Sequence, residues 1–600
     1  MLLELPPELL VMVLRPLSLG RDFAHIAMTC RKLHRLVMET PEFRYVIELA
    51  VDGLCDQSSE SGTVGLDELQ GRLQSLLELR ARWRSLSFRS HEALTLPFQD
   101  FHDNLPDFDF FRDILFGAGF DGKETVNPLA MAALLPQIPT ARYRYRLNIE
   151  GEDVRFDKFA IDASRDLFVL LKPNFPGMPE VLPDDLDDWD FANTDGAGFT
   201  IHLQTLSSRG QVPHPACPNS VLRYEFPTYY WDGPSIWSLT IMESSIGVLS
   251  YDGHTECLAI WDWINGEMLV LTFFTVQDMN SEDVSCPLQD FCFLTGTEFI
   301  VTSDFLSTQE SCLHIFTTDV SVPGVTDWEQ ELGIRHVLRL EFPKVARHYV
   351  YMVLKIYTGP FVPTCRSSAP FSIDWQQSRI FALRMYVSRR VAGQQEKTNY
   401  YLFIPFRDLV TILKQYESDI TEPREPPVVP WQEWGPERTR MFTQQMPPED
   451  RFHMWRSTYE TSQGWIYGTR AVCTVADPRT QGPFTTQVLD FNTRDRGHFP
   501  LHVPSAAEGY VPAVAALVTE PTTIYSPEFF AEPITTRLPY YTVPVRDSPL
   551  FADNNGVGAM MLDGERLYGM REHRPNIVGV ALGDMVDPRE NTVEVDVFSF

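Results

Sequence analysis

The chain has 600 residues, with 81 Asp or Glu against 50 Lys or Arg, a formal charge of −31 and a pI near 4.8. An excess of negative charge on this scale repels phosphate backbones and anionic bilayers and releases no counterions from them, so no nucleic acid and no membrane surface is expected as a partner. No run of about 18 apolar residues offers a transmembrane helix, and 600 residues leave room for several domains or one large repeat architecture.

The first elements are helical. Leu9, Leu10, Val13, Leu14 and Leu17 recur at helical spacing, and Pro6-Pro7 suits a first turn, where a missing amide hydrogen costs nothing. Pro16 predicts an early end to that helix, because its ring clashes with the Met12 carbonyl. After Leu19-Gly20-Arg21 a second pattern continues through Phe23, Ile26, Ala27, Cys30, Leu33, Leu36 and Val37. Two or three helices this short cannot bury their apolar faces on one another, so outside help is expected. Glu4, Glu8 and the absence of a basic n-region argue against a signal peptide. Nine scattered cysteines read as reduced thiols, and no Asn-x-Ser/Thr acceptor occurs, so the expected location is cytoplasm or nucleus.

Leu5-Pro6 with Glu8-Leu9-Leu10, a Leu14 to Leu17 segment, Thr29-Cys30-Arg31-Lys32-Leu33, and Leu36-Val37 before Pro41 together resemble the F-box in order and spacing. The resemblance covers residues 1–50. It implies docking onto the Skp-family adaptor of a cullin-based ubiquitin ligase, and through it onto the cullin scaffold. By match to that motif, Leu5, Pro6, Leu9, Leu10, Leu14 and Leu17 would face the adaptor. Phe23 stands where the family more often has leucine. The alternative is a helical cap packed on the protein's own body.

Residues 51–85 read as a polar break and a linking helix. The stretch 52–65 is rich in Gly and Ser; Leu66, Leu69, Leu73, Leu76, Leu77 and Trp83 then define one apolar face. Arg80, Arg82, Arg84 and Arg89 crowd the end of this helix with no acidic neighbour. They read as cations set against the helix dipole, worth about 0.3–1 kcal/mol each, with a phosphorylated partner as the other reading. A helix followed by Trp83-Arg84-Ser85-Leu86 also resembles the linker of fungal F-box proteins, which leads into a β-rich body.

Residues 86–600 are expected to form that body, with short β-rich runs from about residue 140 onward. The clearest unit has strands at 237–241, 246–251, 257–263 and 267–271, with Asn265-Gly266 as a tight hairpin turn. Ile260-Trp261-Asp262 with Asn265-Gly266-Glu267 resembles the WD-repeat hairpin, without the family's upstream Gly-His pair. A second unit spans 291–294, 298–302 and 312–317. Further fragments lie at 156–171, 337–342, 379–403, 464–491 and 555–580, enough for a β-propeller of about seven blades. The Pro-rich stretches 422–434 and 511–541 read as long inter-blade loops.

Little chemistry is written locally. The acidic run 184–190 lacks the alternating ligands, glycine and glutamate of a calcium loop, and Cys286, Cys292, Cys312 and His314 lack a Cys-x-x-Cys pair. His91-Glu92 has no second histidine four residues on, and neither a Gly-x-Ser-x-Gly elbow nor a phosphate loop occurs. No catalytic residue, cofactor or metal is assigned. Trp431, Trp434, Trp455 and Trp465 suggest either a binding hot spot or blade packing. The expected fold is mainly β with an N-terminal all-α module. The expected function is substrate recognition in an SCF-type ubiquitin ligase, with an unidentified protein target. A WD-like scaffold without a ligase role and a propeller-fold hydrolase or lyase are the alternatives.

Overall fold

The computed structural model is mainly β, preceded by a helical module. It describes residues 2–17, 19–56 and 65–97, and beyond 106 the strands, helices and short connections named below.

Five helices come first: α1 (Pro7–Leu14), α2 (Gly20–Thr29), α3 (Arg31–Glu39), α4 (Pro41–Asp52) and α5 (Leu66–Ser85). α1 stops two residues before Pro16, as the ring clash demands. Pro41, which closes the motif in the sequence, opens α4, where its fixed φ suits a first turn. That fourth helix corrects the expectation that the short helices need outside help to bury their faces. Phe43 and Ile47 from α4 complete a core with Leu14, Phe23 and Val37, and the Phe23 and Phe43 rings stack at 4.5 Å. Phe23, the departure from the motif, is thus filled by a ring partner. Gly20 starts α2 against α4, where a Cβ would come within 2.5 Å of the Ala50 Cβ and 2.7 Å of the Val46 carbonyl.

The body is a succession of antiparallel sheets. The first runs Asp107–Phe111, Ile114–Ala118, Leu129–Ala133 and Arg142–Tyr145; the second Lys158–Asp162, Leu167–Asn174, Gly198–Thr205 and Val221–Glu225. The third, Ser235–Met242, Ser245–Tyr251, Thr255–Asp262 and Glu267–Thr275, matches the unit read most clearly in the sequence. The fourth comprises Leu288–Phe293, Glu298–Phe305, Glu310–Thr317 and Arg335–Glu341, so 337–342, read as a separate fragment, is its last strand.

A nine-stranded sheet follows. One part holds Tyr349–Thr358, Ile380–Arg389, Lys397–Pro405 and Arg440–Gln444; the other holds Arg470–Ala476, Phe484–Asp490, Tyr540–Pro544 and Ala516–Val518, with Ile466–Tyr467 at its side. The single register pair Gln444 with Val475 joins the two parts. The last sheet takes Ala559–Leu562, Arg566–His573 and Thr592–Ser599 from the end of the chain and Ser90–Pro97 from near its start.

Strand alternation feeds both faces of these sheets. In the third, Val248, Ala259 and Trp261 pack with Ile201 and Leu203 of the second, while Leu249, Leu258 and Ile260 pack with Phe291, Phe299 and Val301 of the fourth. Ile300, Leu313 and Ile315 of the fourth then meet Leu354 and Leu383 of the next. The Trp261-Asp262 hairpin is closed by the Asp262 carboxylate, which accepts from the Ile264 and Asn265 amides, and Gly266 takes a φ of 73°.

The Pro-rich stretches are more ordered than loops. Val428–Val429 adds a parallel fifth strand to the fourth sheet, and α7 (Trp431–Arg438), after α6 (Phe406–Glu417), packs Trp431 and Trp434 into the core beside it. With Trp465 also buried, three of the four tryptophans pack the body and form no exposed hot spot; Trp455 lies outside the described residues.

Candidate functional site

The helical module buries one face of α1 and exposes the other. PELLVMVL is apolar nearly all round, so a core on one side leaves unpartnered apolar surface on the other. Leu10 and Leu14, four apart, point inward, Leu10 being 1% exposed. Leu9, Met12 and Val13, at i, i+3 and i+4, point to solvent, with Leu9 46% and Met12 64% exposed. Leu3 and Leu19 extend the exposed apolar set before and after the helix.

Of the six residues that the F-box resemblance implies, Leu9 and Pro6 are exposed, Leu5 and Leu17 half-buried, and Leu10 and Leu14 buried in the module's own interior. Leu3, Met12, Val13 and Leu19 are exposed apolar residues outside that set. Helical spacing held the signal for Met12 and Val13, since an inward pair at 10 and 14 puts 9, 12 and 13 on the opposite side. Before α1 come a 3₁₀ turn, Leu2–Glu4, and then Leu5, and α3 meets both: the Lys32 Nζ donates to the Leu3 oxygen and, at 3.2 Å, to the Leu5 oxygen.

This module is fixed to the β body through α4 and α5. Arg80 lies between Glu48 and Asp52, donating to one carboxylate oxygen of each at 2.7 Å; Arg80 and Glu48 are buried and Asp52 is partly so. Burial by itself would lower the Arg80 pKa, but the Asp52 and Glu48 carboxylates outweigh it and hold the guanidinium charged. Burial also raises Asp52, an effect that Arg80 only partly offsets.

The remaining arginines also find acids, which corrects their reading as dipole cations without an acidic neighbour. Arg82 and Arg89 bind Glu78, and Arg84 approaches Asp490 at 3.7 Å while its guanidinium lies 3.4 Å over the Tyr541 ring. Trp83 stacks on Phe600 at 3.9 Å and donates from Nε1 to the Gly564 carbonyl. The Ala513 and Ala515 amides donate to the Ser85 and Arg84 carbonyls, so the stretch read as an inter-blade loop grips the end of α5. Beyond α4, Gly53 takes a φ of 69°, and Leu54–Asp56 pairs with Phe371–Ile373 of the body. Asn492 and Arg494 donate to the Val51 and Ala50 carbonyls.

Two other places hold groups with chemical potential. A cleft at the joint is lined by Asp52, Arg80, Tyr467, Thr469 and Arg470, among others. Its charged walls bond one another: Arg80 holds Asp52, and Asp490 accepts from Thr469 and Arg470. In the fourth sheet, the Ser303 hydroxyl lies 2.6 Å from His314 Nε2, and His314 Nδ1 lies 3.1 Å from His336 Nε2. The order nucleophile, base, orienter is that of a hydrolase, but Ser303 is fully buried in this structure. Burial first, then His336 and Arg339, keep the His314 pKa well below its ordinary value; burial and Arg339 bring His336 down to about 3.

Among the described residues no group of three metal-ligating side chains comes together, and burial pushes the Cys292 thiol up to about 12. His91 is instead bonded to Asp596 across the last sheet. The acidic run 184–190 and Cys286 lie outside the described residues. No described helix is long and apolar enough to cross a membrane.

No family model and no curated protein matches the chain. Among solved structures it is similar to the protein lmo1340 from Listeria monocytogenes EGD-e, at 7% identity over 59% of this chain and 83% of that one, with a TM-score of 0.25. It is similar to the N-terminal domain of Nup159 at 8% identity over 53% and 76%, with a TM-score of 0.22. A prolyl endopeptidase is matched at 10% identity over 80% of this chain and 49% of that one, with a TM-score of 0.25. Scores this low establish no shared fold or function.

Proposed function

We propose that this chain is the substrate-recognition subunit of a cullin-based SCF-type ubiquitin ligase. The helical module docks a Skp-family adaptor, and the β body presents a protein target. The observation that carries this reading is the exposed apolar face of α1, Leu9, Met12 and Val13, on a module that already has its own core. Contiguous exposed apolar surface marks a partner site, and the F-box order of the sequence names the class of partner.

The body is read as a seven-bladed propeller. Supporting this are seven successive groups of four antiparallel strands, counting the nine-stranded sheet as two, and the last group, in which Ser90–Pro97 pairs with Thr592–Ser599. Closing a ring with strands from both ends of a chain leaves no unpaired blade. The ligase mechanism is proximity: a target held on the body meets the ubiquitin-charged enzyme as if intramolecularly.

The test is co-purification of the full chain with the adaptor on size exclusion. Leu9→Asp with Val13→Asp is expected to abolish the complex while leaving the melting temperature nearly unchanged, since both side chains are solvent-facing. An adaptor complex that survives the double variant would overturn the reading.

A further inference from the structure

Lys32 is set against its local electrostatics. It lies in the first turn of α3, next to Arg31, and that turn carries no acidic residue. The positive end of a helix disfavours cations there, so the helix itself gains nothing from the charge. The ammonium instead reaches back across 27 residues or more to two consecutive-turn carbonyls, those of Leu3 and Leu5.

Those carbonyls lie in the short stretch that leads into α1. Leu3 belongs to Leu2–Glu4, a single 3₁₀ turn too short to be stable alone, and Leu5 to the connection between that turn and α1. Pro6 precedes α1 as its N-cap without a side-chain cap bond, while its carbonyl accepts from the Leu9 and Leu10 amides. The turn therefore leads directly into the first turn of the helix that bears the exposed apolar face.

We propose that Lys32 is a positioning residue for that face: by donating to the Leu3 and Leu5 carbonyls it holds Leu3, Leu5 and Pro6 folded at the head of α1, ready for the adaptor. This rests on the adaptor reading above. Lys32 acts through the segment's backbone. Its contribution is to remove an ordering cost that the complex otherwise meets on binding. Three hydrogens on a mobile ammonium serve two carbonyls, and a guanidinium, with five donors, can serve them as well.

The experiment uses the full chain and purified Skp-family adaptor, with Lys32→Met, Lys32→Arg and Leu9→Asp. Hydrogen exchange of the N-terminal peptide reads the segment in the free protein, and calorimetry reads the adaptor affinity. The expected result is faster exchange in Lys32→Met with affinity weakened about tenfold, the scale of a charge-assisted bond, and recovery of both in Lys32→Arg. Unchanged exchange in Lys32→Met overturns the proposal. So does faster exchange with unchanged affinity, if Leu9→Asp still abolishes binding; in that case the adaptor reading stands and the role of Lys32 falls. A wild-type chain that does not bind the adaptor overturns the reading itself, and with it the role assigned to Lys32.

Discussion

Arg80 ties α5 to α4. Its guanidinium is shared between Glu48, which is buried, and Asp52, whose side chain is 9% exposed, so removing it leaves two largely buried carboxylates without their counter-charge. Breaking a buried pair in this way costs about 3–5 kcal/mol, far more than the pair adds over a well-packed apolar replacement. Arg80→Met is therefore expected to lower the urea midpoint of the whole protein clearly, as a denaturation curve followed by tryptophan fluorescence will show. A retained midpoint would mean that the other joint contacts, among them Trp83, Arg84, the Leu54–Asp56 strand, Asn492 and Arg494, suffice without it. The sequence displays the four arginines plainly, and Glu78, four residues before Arg82, was legible as a partner. Glu48, Asp52 and Asp490 were not, because their proximity arises from the packing of α4 and the sixth group of strands on α5.

At the scale of elements, the fourth sheet carries a pH dependence. His314 and His336 sit on neighbouring strands, bonded to each other and, through His314, to Ser303. Arg339 is the charged neighbour that, with burial, keeps both neutral. The unfolded chain binds protons at these histidines below about pH 6.5 and the folded one does not until much lower, so stability is complete above that pH and falls as pH drops toward 3. At pH 5 the loss from His336, held down to about 3 in the folded chain, is about 2 kcal/mol. Thermal melts between pH 7 and 5 are expected to show this decline, and His336→Phe to make it shallower; a flat profile in the wild type would refute the account.

Elements differ in how much of themselves they show in sequence. The third sheet was readable because its turn residues, Asn265-Gly266, and its alternating strands lie within forty or so residues. α4 was hidden because Pro41 reads as a stop as readily as a start. α7 was hidden by Pro430 and Pro436 on either side of Trp434, a composition that suggests a loop. On α1 the apolar spacing was plain, but which of its two apolar faces is inward depends on Phe43 and Ile47, residues from a helix not foreseen.

For the whole molecule, the joint makes the helices and the body one structure. Trp83 is central to it, stacked on Phe600, covered by the Arg470 guanidinium and bonded to the Gly564 carbonyl. Phe600→Ala is expected to cost about 3–5 kcal/mol, as large aromatic truncations in a core do, and to raise the solvent accessibility of Trp83, measurable by acrylamide quenching. If quenching does not change, the last residue does not cover the indole. The pairing of Ser90–Pro97 with Thr592–Ser599 sets a timetable for synthesis. Ser90–Pro97 leaves the ribosome early and waits for Thr592–Ser599, roughly 25 to 100 s later at ordinary elongation rates of about 5 to 20 residues per second. Through that interval the strand has no partner, whereas the helical module, whose core lies within residues 11–51, is already complete. A chain halted before its last ten residues would thus display a finished helical core while Ser90–Pro97 is still without its partner strand.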